Sequence, residues 1–112
     1  MPRRRISMSR PAADALEVLG QQVRLRRTAL GWTIADTAAR LGIDESTVSK
    51  IERGYPSPSV GTVFNVAVLV GVDLYGLDGA DLARARRAGE DTLALLPAKV
   101  RTPVESDDGL DF

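Results

Sequence analysis

The stretch Thr33-Ile34-Ala35-Asp36-Thr37-Ala38-Ala39-Arg40-Leu41-Gly42-Ile43-Asp44-Glu45-Ser46-Thr47-Val48-Ser49-Lys50-Ile51-Glu52-Arg53-Gly54 decides the fold. Thr33 and Asp36 stand at capping-box spacing, with Asp in place of Glu. The Thr33 hydroxyl is therefore expected to accept from the Asp36 amide and open a short helix that closes near Leu41. Gly42 then permits a tight turn. Asp44 is placed to cap a following helix over 45–53, with Glu45 near its positive end, Lys50 and Arg53 near its negative end and Gly54 at the stop. Two helices joined this tightly must approach closely, so a small residue, Ala38, stands at their contact while Val48 and Ile51 point back to a core.

Upstream, Leu16, Leu19 and Val23 recur at helical spacing in a run free of proline, and Gly31 stands where a helix end favours a left-handed residue. This predicts a first helix over 14–30. Residues 1–11 are basic and polar with two prolines and read as a flexible arm. Downstream, Tyr55-Pro56-Ser57-Pro58 must be a loop, and Ser59 can cap a helix over Val60–Val70. That run is β-branched and also reads as a buried strand, but its eleven residues between a cap and Gly71 fit a helix better. Val60, Val63, Phe64, Ala67 and Val70 make one apolar face, which leaves Val66, Val68 and Leu69 as surplus surface for a second subunit to cover. Trp32 and Phe64 read as core.

Residues 72–77 fit either a short helix or an edge strand pairing across a dimer. Residues 80–96, rich in Ala, Leu and Arg and closed by Pro97, predict a further helix. Beyond it the acids Glu105, Asp107, Asp108 and Asp111 have no basic neighbour after Arg101, which predicts a tail disordered on its own. The expected organisation is an arm over 1–11, a domain over 12–78, a C-terminal helix over 79–97 and an acidic tail over 98–112, all-α throughout.

The 112 residues include neither cysteine nor histidine, which excludes disulfides, Cys/His zinc sites, cysteine nucleophiles and any Ser-His-Asp triad. No constellation of nucleophile, base and oxyanion donors is visible, so no enzymatic activity and no cofactor is expected. Asp107 and Asp108 lack the further ligands a cation needs, so no metal is expected either. Met1-Pro2-Arg3-Arg4-Arg5 leads into no apolar run of the secretory kind, and a cytoplasmic protein that spans no membrane is expected. The net charge of zero hides an asymmetry: residues 1–54 hold ten basic against six acidic side chains, and residues 55–112 hold five against nine.

Residues 19–72 resemble the Xre/Cro/phage-repressor family of helix-turn-helix domains. The resemblance rests on Leu19-Gly20, Arg27, Gly31-Trp32-Thr33, Ala38, Leu41-Gly42, Ser46 through Gly54, and Pro58-Ser59. It implies a five-helix, lambda-repressor-like fold whose recognition helix enters the major groove of double-stranded operator DNA. By position in that family, Glu45, Ser46 and Lys50 are expected at base edges, with Ser49 on the same face and Thr47 flanking. The chemistry agrees, since Lys donates to guanine O6/N7, Glu accepts from cytosine N4 and Ser is permissive. Family members often carry a phosphate-binding Gln where this chain has Ile34. Phosphate contacts are therefore assigned to the amides opening that helix, to Thr33, Arg40 and Arg53, and to the arm residues Arg3, Arg4 and Arg5. The resemblance also implies a structural ion pair between Arg27 and Glu52, and operator symmetry implies a homodimer.

A narrower resemblance, to antitoxins of the HipB type, rests on Gly31-Trp32-Thr33, Leu69-Val70-Gly71-Val72 and Leu95-Leu96-Pro97-Ala98-Lys99-Val100-Arg101 before the acidic end. It implies a repressor that autoregulates its operon and binds a HipA-like Ser/Thr kinase toxin. Asp107, Asp108, Leu110, Asp111 and Phe112 would dock on that toxin. Two other readings remain beside it: a free-standing Xre-family regulator whose C-terminal helix serves dimerisation, and an interaction module that has lost DNA binding.

Overall fold

The computed structural model describes residues 7–100, and every regular element among them is helical. Helix α1 is Arg10–Ala29, opened by Ser9, whose hydroxyl accepts from the Ala12 amide, with Pro11 in the first turn. This start precedes the expected position 14 and takes residues 10 and 11 out of the arm. Apolar spacing registers only where a helix meets the core, whereas Ser9 and Pro11 start this one on a turn whose residues 10–12 are exposed.

Helix α2 is Ile34–Leu41 and carries both halves of the capping box: the Asp36 amide donates to the Thr33 hydroxyl at 3.0 Å and the Thr33 amide to Asp36 Oδ2 at 2.8 Å. Gly42 ends it at φ 66°, and the Ile43 amide closes back on the Ala38 carbonyl at 3.1 Å. Helix α3, Glu45–Glu52, begins after Asp44 in an extended cap conformation, but the Asp44 carboxylate makes no capping hydrogen bond. Helix α4 is Val60–Val70, with the Ser59 hydroxyl accepting from the Thr62 amide and Gly71 at φ 95°. The β-branched run is therefore a helix, and 72–77 holds a single 3-10 turn, Leu74–Gly76, rather than a strand. Helix α5 is Gly79–Ala94.

The described residues divide into two compact units, one ending at residue 78 and the other beginning at residue 79. In the first, α1 lies against α3 and α4, and α2 against α3 and α4. Val23, Val48, Val66 and Ala67 are 0% exposed at the centre, with Ile51, Val63 and Val70 around them. Gly20 marks the tightest approach: a Cβ there would stand 2.5 Å from the Ile51 carbonyl oxygen, so α1 can reach the end of α3 only without a side chain. Arg26 Nε donates to the Val70 carbonyl at 3.0 Å and so ties α1 to the end of α4.

The buried arc of α4 is Val63, Val66, Ala67 and Val70, rotated from the expected face. Val66 is wholly buried within the chain and has no surface to give a second subunit, whereas Val60 is 68% exposed. The cause is that α4 meets both α1 and α2, and the axis between those two neighbours decides which arc is covered. Of the three residues expected at a dimer surface, Val68 is exposed and Leu69 half-buried. Phe64 is half-buried, with its ring edge-on to Tyr75 at 6.3 Å. In the second unit, α5 has no buried residue, and Asp81–Arg84 and Arg86–Glu90 pair along it.

Candidate nucleic-acid interface

The α2–turn–α3 unit is held from inside by small and apolar side chains. Ala38 is 3% exposed, and Val48 and Ile51 seat α3 on the core. At 100° per residue this leaves Glu45, Ser49, Arg53, Ser46 and Lys50 within an arc of about 140° on the other side of α3. Glu45, Ser46, Lys50 and Arg53 are exposed, and Ser49 is half-buried. Thr47 is also half-buried and lies outside that arc, beside the Val48–Ile51 face. The protruding arc thus carries one carboxylate, two hydroxyls, one ammonium and one guanidinium, a set able both to accept and to donate at base edges.

A buried clamp fixes the tilt of α3 relative to α1. Arg27 Nε and Nη2 donate to the two carboxylate oxygens of Glu52 at 2.5 and 3.0 Å, and Arg27 Nη1 donates to the Trp32 carbonyl at 2.8 Å. Hydrogen bonding to Glu52 raises the Arg27 pKa further above its ordinary value, against the opposing effect of burial. The expected Arg27–Glu52 pair is present, and its third bond reaches the loop that leads into α2.

The two predicted phosphate-binding arginines of this unit are each stacked on an aromatic ring. Arg53 lies over Tyr55, 4.7 Å from the ring centroid, and its Nη1 donates to the Tyr55 hydroxyl at 3.4 Å. Its Nε donates to the Ser49 carbonyl at 3.4 Å, which holds the guanidinium at the end of the exposed arc. Arg40 lies 4.0 Å over the Trp32 ring at the α1–α2 corner. Arg40 is about 160° around α2 from buried Ala38, on the side of Asp36, so the structure does not bring it to the α3 arc. Trp32 is half-buried at the expected corner, with Arg40 as a lid.

Tyr55 is the site residue that loop-forming prolines concealed. An aromatic two positions after an arginine was the available signal, since a guanidinium stacks on a ring that close. The Thr33 hydroxyl is committed to the α2 cap, accepting from the Asp36 amide and interacting with the Asp36 carboxylate, so the Thr33 position offers its exposed place at the start of α2 rather than a free hydroxyl. Ile34 is half-buried in the first turn of α2. Arg3, Arg4 and Arg5, together with Asp107, Asp108, Leu110, Asp111 and Phe112, lie outside the described residues.

Residues 23–77 match the family model for helix-turn-helix domains, a span that contains α2, α3, α4 and the last turns of α1. None of the curated proteins matches the chain. Among the described residues no helix is long and apolar enough to cross a membrane.

Proposed function

On the premise that residues 23–77 are a helix-turn-helix domain of the Xre/Cro type, we propose that the chain is a sequence-specific transcriptional repressor that binds operator DNA as a homodimer. The observation that carries this reading is the exposed arc of α3: Glu45, Ser46, Ser49, Lys50 and Arg53 project from a helix whose opposite face is buried and whose end is clamped by Arg27. A helix held this rigidly can present side chains to the major groove at fixed register. Glu45, Ser46 and Lys50 read base edges, Ser49 and Thr47 flank them, and Arg53, Thr33 and the amides opening α2 meet phosphates. Arg40 meets a phosphate only from its stacked position on Trp32. The test is selection of bound sequences from a random duplex pool, followed by binding to the winner across a salt series. A selected consensus with affinity that falls steeply with salt supports the reading. No consensus, or affinity indifferent to salt, refutes it and favours the interaction module.

A further role, neutralising a HipA-like kinase, is supported by the Leu95–Arg101 resemblance and by the exposure of Leu95 and Val100, 85% and 93%, within that stretch. Co-expression with such a kinase is expected to yield a co-purifying complex, with Asp107, Asp108, Leu110, Asp111 and Phe112 as docking residues. Deleting residues 103–112 is expected to weaken it at least about tenfold while DNA binding persists. Full affinity after the deletion would move the contact to the helical part of the chain.

A further inference from the structure

Helix α5 is a helix without a core. No residue in it is buried, and Leu93 and Leu96 stand 64% and 61% exposed. A helix of this length is marginal in water on local interactions alone, and in proteins most helical stability comes from packing an apolar face. Leu82, Ala85, Gly89, Leu93 and Leu96 fall within about 40° of one line along α5 and its last turn. Leu96 stays in line because its amide still bonds to the Leu93 carbonyl at 3.0 Å.

This line has a two-fold pattern centred on Gly89. Leu82 and Leu96 lie seven residues to either side of it, and Ala85 and Leu93 lie four to either side. Among the described residues, a Cβ on Gly89 would meet no atom within 4 Å. Glycine in mid-helix is less stable than alanine, so a missing side chain at an open position serves an approach from outside the chain. Charge lies beside this line, offset from its centre at Gly89. Arg86 and Glu90, paired at 2.7 Å, flank the line on one side. When two copies of α5 run antiparallel about a two-fold at Gly89, these flanks face each other, and Arg86 of one copy comes beside Glu90 of the second.

We propose that a second copy of this chain covers α5, as an antiparallel helix pair crossing at Gly89. The proposal deepens the homodimer reading above and rests on it. It places the self-association surface on Leu82, Ala85, Gly89, Leu93 and Leu96, where a straight 3.6-residue stripe favours two helices that cross rather than supercoil.

The chain lacks cysteine, so single introduced thiols report this geometry cleanly. In the antiparallel pair Ala85 of one copy faces Leu93 of the other, while identical positions are separated by about 12 Å along the axis. Full-length Ala85→Cys and Leu93→Cys proteins, mixed and oxidised without DNA, are expected to form a disulfide-linked heterodimer, and neither protein alone is expected to cross-link. Cross-linking of each variant with itself would indicate a parallel pair and overturn the proposal, as would the absence of cross-linking altogether. A second measurement uses charge. Arg86→Glu and Glu90→Arg proteins are each expected to self-associate at least tenfold more weakly by sedimentation, and their equimolar mixture to recover the dimer. A monomeric parent, or a mixture that fails to recover, would assign the face to a different partner and overturn the proposal. Because no DNA is present, a failure of base reading leaves these outcomes unchanged.

Discussion

Arg27 and Glu52, twenty-five residues apart in sequence, meet through two parallel hydrogen bonds at 2.5 and 3.0 Å, with only 10% and 6% of their side chains exposed. The third Arg27 bond, to the Trp32 carbonyl, links the same guanidinium to the entrance of α2. One side chain therefore sets the positions of both helices of the helix-turn-helix unit relative to α1. Arg27→Ala strands a buried carboxylate and is expected to cost roughly 3–5 kcal/mol in urea unfolding. The double change Arg27→Met with Glu52→Met removes both charges and is expected to cost less than either single truncation. A single variant within a degree or two of the parent melting temperature would contradict the clamp.

Gly20 and Gly89 are predicted to respond to alanine in opposite ways. At Gly20 the new methyl collides with backbone oxygens of Ile51 and Glu52 at 2.5 and 2.6 Å, atoms that cannot swing aside. Gly20→Ala is therefore expected to destabilise by about 1–3 kcal/mol, as overpacking does. Gly89→Ala adds helix propensity in open space and is expected to raise the helicity of isolated α5 peptide, measurable by circular dichroism.

The capping box gives α2 an acid-labile start. The Thr33 backbone amide, and after it the Thr33 side chain, holds the Asp36 carboxyl below its ordinary value of 3.8. A carboxyl depressed in the folded state binds fewer protons there than in the unfolded chain. Its contribution is thus fully present above about pH 4 and is lost as pH falls through the folded value. Asp36→Asn is expected to flatten the part of the stability–pH curve that lies below pH 4, followed by chemical unfolding. An unchanged acid limb would show that the box contributes nothing at α2.

On DNA, Lys50→Ala is expected to weaken binding to the selected site by about 1–3 kcal/mol and to relax preference at one base pair. Arg53→Ala is expected to weaken binding to all sequences alike and to reduce the salt slope by about one. Tyr55→Ala frees the Arg53 guanidinium from its ring and is expected to reproduce part of the Arg53 effect, with the Arg53→Ala/Tyr55→Ala double variant no weaker than Arg53→Ala alone. Additive losses in that cycle would show that Tyr55 acts independently of Arg53.

The elements legible from sequence are those whose signals are local. Thr33 with Asp36, Ser59 with Thr62, and the glycines at 31, 42, 54 and 71 each fix backbone geometry within a few residues, so the bounds of α2 and α4 follow from the residues themselves. The exposed arc of α3 was equally legible, because Val48 and Ile51 declare the buried side of an eight-residue helix and leave the rest to solvent. Three features belonged to the tertiary structure. The choice of Val66 over Val60 as core depends on α4 sitting between α1 and α2, and a helix with only Thr62 and Asn65 as polar side chains announces its orientation weakly. The collision that forbids a side chain at Gly20 involves a carbonyl thirty-one residues away. The turning of Arg40 onto Trp32, away from the α3 arc, is decided by where the α1–α2 loop carries the indole, since a flexible arginine goes to whichever aromatic face or anion the fold places within its reach.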